Sequence, residues 1–154
     1  MHYTLREATE ADRGFLWHLH KVTMKEYVSE TWGWDEAFQR SYFEENFDPA
    51  TRRIIVVDGE EAGVLSTERR AGALFLAVVE ILPSHQGCGL GTRVIRDVLL
   101  CACRGGLHVT LKVLKANRRA RRLYERLGFS VTGETETSYL MASEAGYPEE
   151  AEKS

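Results

Sequence analysis

Apolar positions recur along the chain with two periods, and the points where the period changes mark its elements. Tyr3–Glu7 alternates, which predicts a first strand. Thr9 followed three residues on by Asp12 resembles a capping box with Asp in the place of Glu. Phe15, Leu16, Leu19, Val22 and Thr23 then recur at helical spacing. Gly33, within Glu30–Trp34, breaks this helix. A second helix is expected to carry Phe38, Tyr42, Phe43 and Phe47 on one face and to end at Asp48-Pro49. Arg53–Val57 is a β-branched strand, Asp58-Gly59 a hairpin turn and Ala62–Thr67 the return strand. After a turn at Arg70–Gly72, Leu74–Leu82 is a long apolar strand interrupted by Glu80 and stopped by Pro83. Leu90, Val94, Ile95, Val98 and Leu99 form a helical stripe that Gly105-Gly106 ends. His108–Leu114 predicts a strand, and Arg118–Leu127 a helix with Ala120, Leu123, Tyr124 and Leu127 on one face and Gly128 as its stop. Phe129–Thr132 and Ser138–Met141 predict the closing strands.

This order, β-α-α-β-β-β-α-β-α-β-β, implies a mixed α/β sheet. Strand 74–82, helix 90–104 and strand 108–114 are expected to form one right-handed crossover joining parallel strands. The 154 residues suit one domain, expected over 1–148, with a charged flexible tail at 149–154.

Composition narrows the function classes. A net charge of -3 argues against a general nucleic-acid binder, though not against a local basic patch. The polar N-terminus carries no signal-like apolar stretch, and the longest apolar run, Ala73–Val79, is too short to span a bilayer. No membrane partner and a cytoplasmic location are the corresponding expectations. Cys88, Cys101 and Cys103 form no CxxC pair and no zinc-ligand spacing, so reduced thiols and no metal are expected.

The chemistry concentrates in Gln86-Gly87-Cys88-Gly89-Leu90-Gly91, between a strand and a helix. Glycines let the backbone turn tightly, and a helix N-terminus offers unpaired N–H groups and the positive end of the dipole, so together they form an anion site. A P-loop would need a Lys after the last glycine, and none is present. A dinucleotide fingerprint would need GxGxxG and a later acid, yet the spacing is GxGxG and Val109–Asn117 holds no Asp or Glu.

Gln86-x-x-Gly89-x-Gly91 resembles the Q/R-x-x-G-x-G/A signature of the GNAT superfamily of N-acetyltransferases. Asn117-x-x-Ala120-x-x-Leu123-Tyr124-x-x-x-Gly128-Phe129 resembles its second signature. The resemblance covers Leu74–Phe129. It implies a GNAT-like, mostly antiparallel sheet with one parallel crossover and helices on both faces, and acetyl-CoA as co-substrate. Backbone groups of Gln86, Gly87, Cys88, Gly89, Leu90, Gly91 and Thr92 would hold the pyrophosphate. Ile81 and Leu82 would pair with the pantetheine arm, which requires a splay between strands 74–82 and 108–114, and Asn117 would hydrogen-bond the arm. Tyr124 would lie near the sulfur and protonate the departing thiolate. A backbone N–H at Ile81 or Leu82 would stabilise the oxyanion.

The amine must lose a proton before it attacks. Glu80, the one charge in an apolar strand, is the first candidate base, with His85, His108 and ordered water as alternatives. The acceptor, a small-molecule amine in preference to a protein amine, is expected to meet Tyr27, Trp32 and Trp34, where aromatic faces stand among carboxylates. Arg118, Arg119, Arg121 and Arg122 sit at a helix N-terminus, which hints at an anionic neighbour. A non-catalytic acyl-CoA sensor and an unrelated nucleotide-binding domain are the competing readings. A monomer or a homodimer fits equally.

Overall fold

A computed structural model describes residues 2–144; the tail expected at 149–154 lies outside the described residues. The elements, in chain order, are β1 (Thr4–Glu7), α1 (Arg13–Trp32), α2 (Glu36–Asn46), β2 (Arg53–Val57), β3 (Glu60–Arg70), β4 (Ala73–Ile81), α3 (Leu90–Arg104), β5 (His108–Leu114), α4 (Arg118–Arg126), β6 (Ser130–Glu134) and β7 (Ser138–Ala142). Among the described residues the strands form one seven-stranded sheet in the order β1-β2-β3-β4-β5-β7-β6. Pairing is antiparallel for β1–β2, β2–β3, β5–β7 and β6–β7, and parallel for β4–β5. This is the mixed sheet with one parallel crossover that the element order implied, and it is mostly antiparallel, as the family resemblance implied.

The chain divides into two compact units. Among the described residues, one comprises 2–66 together with Val78–Cys88, and the other comprises Thr67–Ala77 and 89–144.

In the first unit, Asp12 closes the capping box of the 3-10 turn Glu10–Asp12 that leads into α1. Its carboxylate accepts from the Thr9 backbone N–H at 2.8 Å and takes a two-pronged contact from Arg6 at 3.0 and 2.8 Å. The Arg6 guanidinium holds the Asp12 carboxyl below the usual range, against the opposing effect of burial. Gly33, at φ +83°, ends α1 in backbone that L side chains rarely adopt. The core of this unit gathers Ala8, Leu16, Trp17, Leu19, Phe43, Ile54 and Val64, with Phe15, Trp34, Phe47, Val56, Val78 and Leu82 packed against it.

The aromatic face expected on α2 divides in two. Phe43 is buried and stacks on Phe47, whereas Phe38 and Tyr42 are exposed and stack on each other. Each pair is spaced i, i+4, but five residues separate Phe38 from Phe43. That rotates the second pair about 140° around the helix from the first.

Asp58 and Gly59 both adopt positive φ, as a two-residue hairpin between Val57 and Glu60 requires. The β2–β3 register then shifts, Ile55 facing Gly63 and Val56 facing Glu61, so Ala62 is the extra residue of a bulge.

In the second unit, the predicted stripe of α3 is buried throughout: Leu90, Val94, Ile95, Val98 and Leu99. Each such side chain contributes about 1.5–3 kcal/mol on burial. Both α3 and α4 contact β5. The parallel ladder has four pairs, Ala73↔His108 through Leu76↔Leu111, and β4 runs on to Ile81 past its end. β7 lies between β5 and β6, an arrangement the order of elements left open.

Candidate active site

In the first unit the C-terminal end of β4 carries Glu80, the residue expected as the base. The Glu80 side chain is only 10% exposed, and its Oε2 lies 3.0 Å from His20 Nδ1 on α1. The sequence reading singled out Glu80 as a candidate base and did not single out His20. Its position beside Leu19 on the apolar stripe was the available signal, and a partner 60 residues away was not legible. The His20 ring also packs near Trp17 and Phe43, with centroids at 6.3 and 6.5 Å.

Gly63 on β3 lets β4 approach this closely. A Cβ placed there would stand 2.3 Å from the Glu80 carbonyl oxygen and 3.2 Å from the Ile81 Cα. Leu82 N–H donates to the Ala62 carbonyl at 2.8 Å, and the Leu82 carbonyl accepts from His85 N–H at 2.9 Å. Both backbone groups of Leu82 therefore have partners within the fold. Since successive N–H groups of a strand point to opposite edges, the Ile81 N–H is directed away from β3.

Gln86 folds back on the same strand end, its Nε2 donating to the Ile81 carbonyl at 2.8 Å. A short 3-10 turn, Pro83–His85, precedes it, and the Cys88 thiol donates to the His85 carbonyl at 2.9 Å. Gly87 and Gly89 hold φ +76° and +87°. These are left-handed values at which any other residue is strained. The other histidines named for the base lie elsewhere. His85 Nδ1 is 3.2 Å from Ser84 Oγ and its Nε2 is 3.9 Å from Glu60, and His108 opens β5.

In the second unit, α3 begins at Leu90 with Gly89 as its N-cap, and its first backbone bond is Arg93 N–H to the Gly89 carbonyl. The amides of Leu90, Gly91 and Thr92 precede that bond, so they have no intrahelical acceptor and face the anion-binding end of the dipole.

Asn117 caps α4, its Oδ1 accepting from Ala120 N–H at 3.2 Å, so its oxygen serves the helix and its amide hydrogens remain for another contact. Tyr124 is 8% exposed, packed edge-on against Phe129 at 5.7 Å, and burial pushes its phenol up to about 12. Of the arginine run, Arg118, Arg119 and Arg122 are exposed. Arg121 lies 4.2 Å over the Tyr139 ring and 3.6 Å from Glu125.

The expected acceptor aromatics separate in environment. Trp34 stacks on Trp17 at 6.2 Å and donates its Nε1–H to Glu36 at 2.8 Å, with Lys25 5.9 Å from its ring. Lys21, bonded to Glu36 at 2.7 Å, holds that carboxyl below the usual range. Arg40 covers Trp17 at 5.3 Å. The chain's own cations thus already meet these two rings. Trp32, at the end of α1, is 62% exposed, and Tyr27 is half-buried.

A strand end that carries a carboxylate is followed in unbroken sequence by a glycine turn and a helix N-terminus whose first amides can hold an anion. Residues 16–129 match the acetyltransferase (GNAT) family, and the chain belongs to it. It is 36% identical over 66 residues to the 5-NmdU N-acetyltransferase of Pseudomonas phage PaMx11, covering 43% of this chain and 46% of that one. It is 32% identical over 92 residues to the streptothricin acetyltransferase of Streptomyces lavendulae, covering 58% and 49%. The matches thus span about half the length of these curated relatives. The fold is similar to that of the PaiA N-acetyltransferase of Thermoplasma acidophilum, solved with coenzyme A. The TM-score is 0.77 at 14% identity, over 94% of this chain and 99% of that one.

Proposed function

We propose that this protein transfers an acetyl group from acetyl-CoA to a primary amine by direct attack of the amine on the thioester, with 1–148 acting as one acetyltransferase domain. The observation that carries the reading is the start of α3. Three amides without an intrahelical acceptor follow a turn whose two left-handed glycines bring backbone close to a ligand, with no Lys for a P-loop and no acid for a dinucleotide. Those donors fit the diphosphate of coenzyme A.

Acetyl-CoA, when bound, supplies the activated acyl carbon. The chain's residues do the rest. The Gly87–Thr92 backbone binds the diphosphate, and the Asn117 amide hydrogens donate to the pantetheine arm. The N–H at Ile81, rather than the occupied one at Leu82, stabilises the oxyanion. Tyr124 stays protonated at every working pH, but its value of about 12 lies well above the ~8.5 of a thiol. Complete transfer to the leaving sulfur therefore runs uphill, and its contribution is hydrogen-bond donation. Glu80 belongs to the group that takes the amine's proton.

The acceptor is a small amine. The named activities of the two curated relatives support this, as does the exposed Trp32 at the end of α1. A screen of primary amines with acetyl-CoA and thiol detection, streptothricin included, is expected to find thiol release that depends on the amine. Binding of acetyl-CoA with no release for any amine would leave a sensor in its place.

A further inference from the structure

From the contact between α1 and β4 we infer that the base in this protein is a dyad: His20 Nε2 takes the acceptor's proton, and Glu80 is the carboxylate that orients the ring. This rests on the acetyltransferase reading above.

The hydrogen bond decides the tautomer. An ionised carboxylate only accepts, so with Oε2 at 3.0 Å the hydrogen of a neutral imidazole resides on Nδ1. Nε2 then carries the lone pair. The exposures agree with this division. Glu80 is 10% exposed and spends an oxygen on the ring, whereas the His20 side chain is 30% exposed and opens to solvent, where a proton can leave. Trp17 from the same helix and Phe43 from α2 flank the ring. The charged groups on the neighbouring helix faces are engaged elsewhere: Lys21 with Glu36, and Arg40 and Arg13 with Glu44. Glu80, from β4, is the charged group bonded to the ring.

The proton count closes. Starting from R–NH3+, the nitrogen loses two protons as the C–N bond forms and the C–S bond breaks. One reaches the sulfur, and the other leaves through Nε2 to water. His20 touches the acceptor and is the catalytic residue; Glu80 acts through it and is the positioning residue.

Two measurements test this. The first needs no acceptor: long-range 1H–15N correlations of His20 in the intact protein at neutral pH are expected to show the Nδ1–H tautomer. An Nε2–H tautomer overturns the dyad. The second compares kcat at saturating acceptor across pH. His20→Gln is expected to lose about a hundredfold in kcat and the acidic limb of the profile, with acetyl-CoA binding within twofold of wild type. Glu80→Gln is expected to lose less, about tenfold. A His20→Gln variant with wild-type kcat and limb overturns the proposal. So does an inactive Glu80→Gln beside a His20→Asn variant restored to wild-type turnover, which would make Glu80 itself the base. If wild type releases no thiol with any amine, the acetyltransferase reading fails, and the tautomer still reports on the pair.

Discussion

Tyr124 shows how burial alone shapes a functional group. Desolvation raises its phenol from 10.0 to about 12. The folded value lies above the unfolded one, so the folded state holds the proton more tightly. The resulting stability is fully present below pH ~10 and is lost as pH rises through about 12. Two pKa units amount to roughly 2–3 kcal/mol at most. Urea unfolding between pH 9 and 12 is expected to show wild type losing stability along this interval, with Tyr124→Phe markedly flatter. At neutral pH the same variant is expected to lower kcat while acetyl-CoA binding stays within twofold. Unchanged kcat would leave Tyr124 a core aromatic packed on Phe129. Trp34 teaches the converse: an aromatic among carboxylates at the level of sequence is here stacked on Trp17, hydrogen-bonded to Glu36 and packed against the first unit's core.

Among the elements, β4 is governed by its neighbour. Gly63 is needed not for its own dihedral angles but because the backbone at Glu80 and Ile81 passes where a Cβ would be. Backbone cannot give way as a flexible side-chain end can, so Gly63→Ala must push the two strands apart. A destabilisation of about 1–3 kcal/mol is expected, as for overpacking elsewhere, with a fall in turnover because Glu80 moves with its strand. Thermal melts and acetylation rates check both; an unchanged melt would show that β4 is held by other contacts. Gly87 and Gly89 are the opposite case. Nothing lies within 4 Å of a Cβ at either position, and only the positive φ demands glycine.

At the scale of the whole molecule, a ligand that binds only the folded state stabilises all of it. Coenzyme A at a hundred times its Kd is expected to add about 2.7 kcal/mol, a rise in Tm of about 5–10 °C for a chain of this length. ATP and NAD at the same concentration are expected to give much less, since neither carries a pantetheine arm. Equal shifts from all three would favour a general nucleotide site. The net charge of -3 coexists with a run of four arginines at the start of α4, so the overall charge did not predict the local one.

What the amino-acid sequence determined by itself was local. Apolar period, β-branched runs and turn residues set every element and its order, and the glycines of 86–91 set the turn. A helix or a tight turn is decided by residues a few positions apart, and those lie side by side in the sequence. What the tertiary structure decided was which distant groups meet. It put β7 between β5 and β6, and turned Phe43 inward while Phe38 stayed out. It gave the Leu82 N–H to Ala62 and set His20 against Glu80. Burial and hydrogen-bond partners are relations between segments far apart in the chain, and no period along one segment records which other segment will lie against it.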